Sequence, residues 1–406
     1  MRRGTGWIAA FVILTAAIGG CQERLTAPAE CPELCPGGGS RVFDTVIHPL
    51  PNSDTSFTGY IARNSARALL VSNGLTASED RAVIRFQVRQ DSLKPGPTDS
   101  LRPYTVDSVH VNLNLVARDT LVNGLKLYLY RIDPAVDLDD TFATIEAQLV
   151  PTAIIDSIEV PDSVNSGEVR ARLLGADLAK VALPVGTGGV LAIGVSMAAD
   201  QPSGVRLGAV ASSTSPTFVS FVTLDVEDTA ATRFQTVTRQ PSFNAFVTEV
   251  PQVPDPAFLT VGGEPSSRAL LRFDLPAPIE DSATVVRATL ELIPQSTILG
   301  LPSDPAGLLA SALLADLGAK SPVTTDTRFI AADSLAIGSA DTVRLDVTSI
   351  VRLWQSTSER PEAIFLSLSP EAGSFTRPVF GSTRSGTVGP PRLRISYLKS
   401  FPFESP

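Results

Sequence analysis

The chain has 406 residues, of which 43% are hydrophobic, and its formal net charge is −9. This length fits two ordinary domains, and the hydrophobic content excludes a chain that is disordered throughout. The acidic charge argues against nucleic acid as a partner, because binding to a phosphate backbone requires a positively charged surface.

The N-terminus has the pattern of an export signal. Arg2 and Arg3 precede an apolar run over residues 7–17, which is too short to span a bilayer comfortably. The run leads into Ile18-Gly19-Gly20-Cys21, which resembles the lipobox of bacterial lipoproteins. The alternative is an ordinary secretory signal that happens to precede a cysteine.

The lipobox resemblance implies a signal peptide over residues 1–20, cleavage after Gly20 and diacylation of Cys21. Loss of two arginines makes the mature charge −11 (−9 − 2). Two acyl chains are sufficient for stable anchoring to a membrane. Because Gln22 rather than Asp follows the cysteine, the sorting rule of this family favours the outer membrane.

A tether is predicted over residues 21–40, which are rich in Pro, Gly and Glu and lack periodicity. Fully extended, it would reach about 65 Å. Cys31 and Cys35 are the only other cysteines, and in an exported protein they favour a local disulfide. Two thiolates without a nearby histidine cannot complete a tetrahedral metal site.

Beyond the tether, short β-branched runs alternate with Pro, Gly, Asp and Ser. This pattern predicts an all-β protein with two tandem antiparallel β-sandwich (jelly-roll-like) domains. The runs recur in the same order, including Phe57, Tyr60 and Ile61 against Phe243, Phe246 and Val247. We therefore predict module 1 over residues 41–228, the more diverged copy, and module 2 over residues 229–406.

The clearest repeat is Arg81-Ala82-Val83-Ile84-Arg85-Phe86-Gln87-Val88 against Arg268-Ala269-Leu270-Leu271-Arg272-Phe273-Asp274-Leu275. Side chains alternate between faces along a strand. The alternation predicts one apolar face, ending in Val88 and Leu275, and one polar, solvated face that carries the arginines.

Module 2 resembles the DNRLRE family, a β-sandwich module of extracellular bacterial proteins related to carbohydrate-binding modules. The matching pieces are strand motifs and one helical segment: residues 268–275, residues 288–292, Asp346-Val347-Thr348 with Val351 and Trp354, and residues 391–397. The resemblance implies a carbohydrate-binding type of sandwich.

Arg81, Arg85, Arg268 and Arg272 on the predicted outer face could bind an acidic polysaccharide. Tyr128 and Tyr130 share one face of a strand and form the predicted exposed aromatic pair. The alternatives left open are cross-strand ion pairs for the arginines and cross-strand packing for the tyrosines.

Asp133, Asp137, Asp139 and Asp140 cluster after the tyrosine strand. Such a group could hold a structural calcium ion, although the pattern is more typical of a solvated acidic loop. No other cofactor is predicted.

Trp354 is the only tryptophan outside the predicted signal peptide, and it shares a helical face with Val347 and Val351. This i, i+4, i+7 spacing favours a place in the core over stacking on a sugar ring.

The sequence contains no catalytic signature. Residues 194–198 lack the second glycine of a nucleophile elbow, and both histidines, His48 and His110, precede them. A pair of carboxylates brought together only by the fold is the one catalytic arrangement that stays open. We therefore expect a non-catalytic envelope protein whose modules bind polysaccharide, or a structural or protein-binding lipoprotein in which the sandwiches act as spacers.

Overall fold

The computed structural model describes residues 42–58, 61–75, 79–183, 189–225, 234–249, 253–264, 266–316, 324–357 and 360–399. The predicted signal peptide and tether, including Cys21, Cys31 and Cys35, lie outside these residues. No helix in the described part of the chain is long and apolar enough to cross a membrane.

The chain is an all-β protein built from antiparallel sheets, as predicted. The strands before residue 230 are β1 (Val42–Ile47), β2 (Thr55–Thr58), β3 (Ala68–Asn73), β4 (Asp80–Phe86), β5 (Ser92–Leu93), β6 (Arg102–Arg118), β7 (Lys126–Ile132), β8 (Ile154–Glu159), β9 (Gly167–Leu174), β10 (Ala192–Ala198), β11 (Ser203–Gly208) and β12 (Thr217–Leu224).

The strands after residue 230 are β13 (Phe234–Arg239), β14 (Pro241–Thr248), β15 (Phe258–Thr260), β16 (Ser267–Arg272), β17 (Ala283–Leu292), β18 (Gly307–Ala315), β19 (Thr324–Ser334), β20 (Val343–Asp346), β21 (Ala363–Ser369), β22 (Val379–Gly381) and β23 (Arg392–Lys399). The helices are α1 (Phe142–Glu146), α2 (Ala277–Glu280) and α3 (Thr348–Ser356), with 3₁₀ turns at Arg63–Ser65, Pro151–Ala153 and Gly175–Val181.

The strands form two sandwiches. In sandwich 1, a five-stranded sheet of order β14-β4-β10-β7-β8 packs against a second sheet in which β6 pairs with β12 and β9, and β12 pairs with β13. In sandwich 2, the sheet β2-β16-β21-β18-β19 packs against β1-β23-β17-β20. Each sandwich also has a paired ribbon, β3 with β11 and β15 with β22.

The two sandwiches have the same strand order, position for position, but their strands come from unexpected parts of the chain. Strands β1 and β2 belong to sandwich 2, where Thr45 pairs with Ile395 and Phe57 with Arg268. Strands β13 and β14 belong to sandwich 1. Sandwich 1 is therefore one continuous stretch from β3 to β14, inserted into sandwich 2 between β2 and β15.

This nesting crosses the boundary drawn between residues 228 and 229. Alternation of apolar and polar residues defines a strand, but it does not specify which neighbour the strand pairs with. The copy of the repeat that begins at β1 donates its first two strands to the other sandwich, and the copy that begins at β13 does the same. The linear division stays a prediction about the sequence repeat, whereas the sheets follow the nested arrangement.

The repeated strand also differs from its prediction. Ala269, Leu271, Phe273 and Leu275 are buried in the core of sandwich 2, as are Ala82, Ile84 and Phe86 in sandwich 1. Val88, however, is 52% exposed. The face predicted to be solvated is covered, because Val83 and Leu270 on that face pack into smaller apolar clusters.

The junction between the sandwiches is packed and ion-paired. Arg206 of β11 donates Nη1 to both carboxylate oxygens of Asp304, each at 2.7 Å, and both side chains are largely buried. Leu70 and Phe246 of sandwich 1 form a cluster with Leu301 and Phe375 of sandwich 2. These contacts join the two sandwiches in addition to the two chain crossings.

Candidate functional site

Arg81 is a framework residue. It is 8% exposed, its Nε donates to Glu146 at 2.7 Å, and its Nη1 pairs with Glu79 at 2.9 Å. Nη1 also donates to the carbonyls of Ser72 and Asp80. Burial lowers the pKa of Arg81, but the hydrogen bonds and charges of Glu146 and Glu79 outweigh it, so that the pKa is raised. Arg81 is thus ion-paired, but its partners lie in α1 and directly before β4, whereas the alternative had placed them on neighbouring strands.

The arginines of the second copy are also ion-paired. Arg268 forms a two-pronged pair with Glu371. Arg272 pairs with Asp316 through Nε at 2.5 Å and Nη2 at 3.0 Å, and it donates Nη1 to the carbonyl of Ser53, in the turn before β2. The hydrogen bond that Arg272 donates to Asp316 is the main cause that raises the pKa of Arg272. These arginines tie loops and the donated strand to the sheet.

Arg85 has no carboxylate partner among the described residues, but it also binds a neighbouring loop. Its Nη1 donates to the carbonyl of Val136 at 3.0 Å, and its guanidinium lies 5.2 Å from the ring centre of Phe243. The guanidinium of Arg81 lies similarly, 5.1 Å from the ring centre of Phe142. Arg85 therefore holds the loop after β7 against the sheet.

That loop covers the predicted tyrosine platform. Tyr130 is 9% exposed, and Tyr128 is half-buried with its ring 6.5 Å from that of Tyr130. Both pack in an apolar cluster with Phe142 of α1 and Leu149. The pair is therefore part of a small secondary core and does not form an open surface for a sugar ring.

Three of the four aspartates after β7, Asp133, Asp137 and Asp140, accept hydrogen bonds from nearby backbone or hydroxyl groups. Asp133 accepts from the amide of Ala135, Asp137 from that of Asp139, and Asp140 from that of Asp137. Within the described residues, no three His, Cys, Asp or Glu side chains are grouped as ligands for a metal ion. The structure does not bring these aspartates together as a calcium site.

Sandwich 1 contains a cavity that the sequence did not reveal. Its volume is about 460 Å³, within the range of small-molecule sites. It lies between the end of β4, the start of β6, the turn Gly175–Val181 and strands β12 and β13. Its apolar lining includes Val106, Val109, Leu178, Val181, Phe218 and Val237.

Arg239, the last residue of β13, lines this cavity. It is 8% exposed and its guanidinium lies 4.2 Å from the ring centroid of Phe218, the residue opposite it on β12. Its Nη1 has no hydrogen-bond partner within the described residues. Burial is the main cause that lowers the pKa of Arg239 to about 10, so the group is still charged at neutral pH.

A second arginine stands at the same cavity. Arg89 Nε donates to the hydroxyl of Tyr104 at 3.1 Å, and its guanidinium lies 5.1 Å from the centre of that ring. The Tyr104 hydroxyl in turn donates to the carbonyl of Gln90. The charge of Arg89 contributes to the lowered pKa of Arg239. Two guanidinium groups therefore line one cavity whose walls are largely apolar.

Sandwich 2 has a different structure at the corresponding end. The connection between β20 and β21 is the helix α3, whereas the connection between β9 and β10 holds the 3₁₀ turn that lines the cavity. Trp354 of α3 is 2% exposed and its ring centre is 6.1 Å from that of Phe273. The predicted core position of Trp354 is confirmed. A tryptophan fills the core in one sandwich, and a cavity with arginines is present in the other.

The sequence contains one signal for this site. Strand β1 of sandwich 2 occupies the place of β13 and reads Val-Phe-Asp-Thr-Val-Ile, without an arginine. The sheet position therefore does not require Arg239. Comparison of the equivalent strands would have marked this residue, but the equivalence of β1 and β13 becomes reliable only with the strand pairing.

No family model matches the sequence, and a search of curated proteins returned no match. The similarity of module 2 to the DNRLRE family therefore stays a prediction from its strand motifs.

Proposed function

We propose that the protein is a lipid-anchored, non-catalytic protein of the outer membrane, in which sandwich 2 is the base and sandwich 1 is a head presented by it. The observation that carries the proposal is the nesting of the sheets. Strand β1, which follows the predicted tether, pairs with the C-terminal strand β23. The chain therefore enters through sandwich 2, and sandwich 1 is connected to it by the two chain crossings and the junction.

The engaged side chains favour this scaffold role over polysaccharide binding on the predicted face. Arg81, Arg268 and Arg272 are ion-paired, Arg85 binds loop carbonyls, and Tyr130 is buried. Binding an acidic glycan there would require breaking internal ion pairs, which costs about 3–5 kcal/mol for a buried pair.

The surroundings of the histidines also support a non-catalytic role. His48 contacts the carbonyl of Pro391 through Nδ1 at 3.2 Å, and His110 packs edge-on against Phe221 with ring centres 4.8 Å apart. Burial lowers the pKa of His110, and the charges of Arg170 and Arg172 act in the same direction. Neither histidine has a hydrogen bond to a serine or a carboxylate among the described residues, as a general base of the triad type requires.

Two measurements test the proposal. In cells, Cys21→Ser should move the protein from the membrane to the soluble fraction, and a protein that stays on membranes would contradict the anchor. In vitro, the Cys21→Ser chain should pass through columns of acidic and insoluble polysaccharides without retention. Retention that is abolished by Arg268→Met would restore the polysaccharide hypothesis.

A further inference from the structure

The cavity of sandwich 1 contains a buried positive charge that no described residue balances with an ion pair. Within the described residues, Nη1 of the Arg239 side chain has no hydrogen-bond partner and its guanidinium has no ion pair, and the nearby cation Arg89 lowers its pKa. An isolated charge in an apolar setting is unfavourable unless it is paired. Stacking on Phe218 offsets part of this cost, because a guanidinium is attracted to a ring face.

The fold does not require a positively charged residue at this position. The equivalent strand β1 of sandwich 2 lacks an arginine, and the position of Arg89 in the repeat is occupied by Pro276. Sandwich 2 fills its core with Trp354 and α3 and has an intact sandwich without either arginine. The two arginines are thus specific to the sandwich that has the cavity.

We propose that this cavity binds a small amphipathic carboxylic acid, with its carboxylate on Arg239 and Arg89 and its apolar body against Val106, Val109 and Phe218. A guanidinium matches a carboxylate through two parallel N–H donors, and such charge-assisted hydrogen bonds are about twice as strong as neutral ones. The apolar walls favour an acid with a hydrocarbon or aromatic body over a bare inorganic anion.

The binding test uses the full chain with Cys21→Ser and matched probes in calorimetric titrations. Octanoate, decanoate and phenylacetate supply a carboxylate with an apolar body, 1-octanol supplies the body alone, and inorganic phosphate supplies an anion alone. At least one acid should bind well above 1-octanol and phosphate. Failure of all three acids to bind, or equal binding of octanoate and 1-octanol, would overturn the proposal, as would tighter binding of phosphate.

The variant test separates a ligand role from a structural one. Arg239→Met replaces the arginine by an unbranched apolar side chain and so removes the charge. It should weaken acid binding by about tenfold or more, since a hydrogen bond to a charged group is worth that factor. The same variant should melt at a higher temperature than the parent in the absence of ligand, because the uncompensated charge is gone.

The matched control is Arg172→Met, at an exposed position of β9. It should leave both acid binding and the melting temperature unchanged. An Arg239→Met protein that melts lower and still binds the acids as the parent does would show that Arg239 is a structural residue, and would overturn the proposal independently of whether the protein is anchored to a membrane.

Discussion

Replacement of Arg81 tests whether its strand belongs to the framework of the sheet or to a ligand-binding face. Replacement by Met keeps the side-chain stem and removes the guanidinium that pairs with Glu146 and Glu79 and bonds to two carbonyls. Removing one partner of a buried ion pair costs about 3–5 kcal/mol. The side chain of Glu146 is 44% exposed and can be rehydrated, so we expect Arg81→Met to lower the free energy of unfolding by about 2–4 kcal/mol.

The assay is urea unfolding of sandwich 1 followed by tyrosine fluorescence and far-UV circular dichroism. Tryptophan fluorescence is unsuitable, because in a chain without residues 1–20 the only tryptophan is Trp354, in sandwich 2. Adding Glu146→Gln to Arg81→Met should cost about 1 kcal/mol less than the sum of the single changes, since the two residues interact directly.

The control is the exposed Arg172→Met, which should stay within about 0.5 kcal/mol of the parent. If Arg81→Met changed the free energy of unfolding as little as this control, the ion pairs of Arg81 would not stabilise the sandwich. A neutral Arg81→Met that also lost retention on an acidic polysaccharide would identify the arginine face as the binding surface.

Two further predictions concern the junction and sandwich 2. Asp304→Leu leaves Arg206 without its partner at the junction, and should lower the free energy of unfolding by about 3 kcal/mol. It should also separate the unfolding midpoints seen by Trp354 fluorescence and by circular dichroism. Coincident midpoints in the variant would show that Asp304 does not couple the sandwiches. The Thr348 hydroxyl is the main cause that holds the pKa of Asp346 below its usual range, although burial opposes it. A carboxyl group whose pKa is lower in the folded state than in the unfolded state stabilises the fold. This stability is fully present above the unfolded-state pKa of about 3.9, and it is lost as the pH falls through the folded-state pKa. Asp346→Asn should therefore flatten the loss of stability below pH 4 measured by Trp354 fluorescence, and an unchanged slope would contradict the assigned cause.

The sequence was sufficient for the fold class and for much of the core. The alternation in residues 269–275 placed four apolar side chains correctly, and the helical spacing of Val347, Val351 and Trp354 placed the tryptophan. These features are local, because a strand or helix pattern depends only on neighbouring residues.

The features that could not be predicted are long-range. Strand partners depend on which edges are free, so the insertion of sandwich 1 was not visible in a pattern that fits a linear tandem equally well. The covering of Tyr130 depends on a loop that folds back onto β7, and the cavity depends on a turn that leaves space where sandwich 2 has α3. The sequence pattern marked the arginines of the repeated strand, whereas Arg239, whose Nη1 has no hydrogen-bond partner within the described residues, lies at the end of β13.

The nested arrangement is tested most directly by two fragments of nearly equal length. The fragment 61–249 contains every strand of sandwich 1, whereas the fragment 41–228 contains β1 and β2 but lacks β13 and β14, and so leaves β4 and β12 without edge partners. We predict that the fragment 61–249 unfolds cooperatively in urea with dispersed amide NMR signals, and that the fragment 41–228 does neither. A folded fragment 41–228 together with an unfolded fragment 61–249 would contradict the nesting and restore the linear tandem.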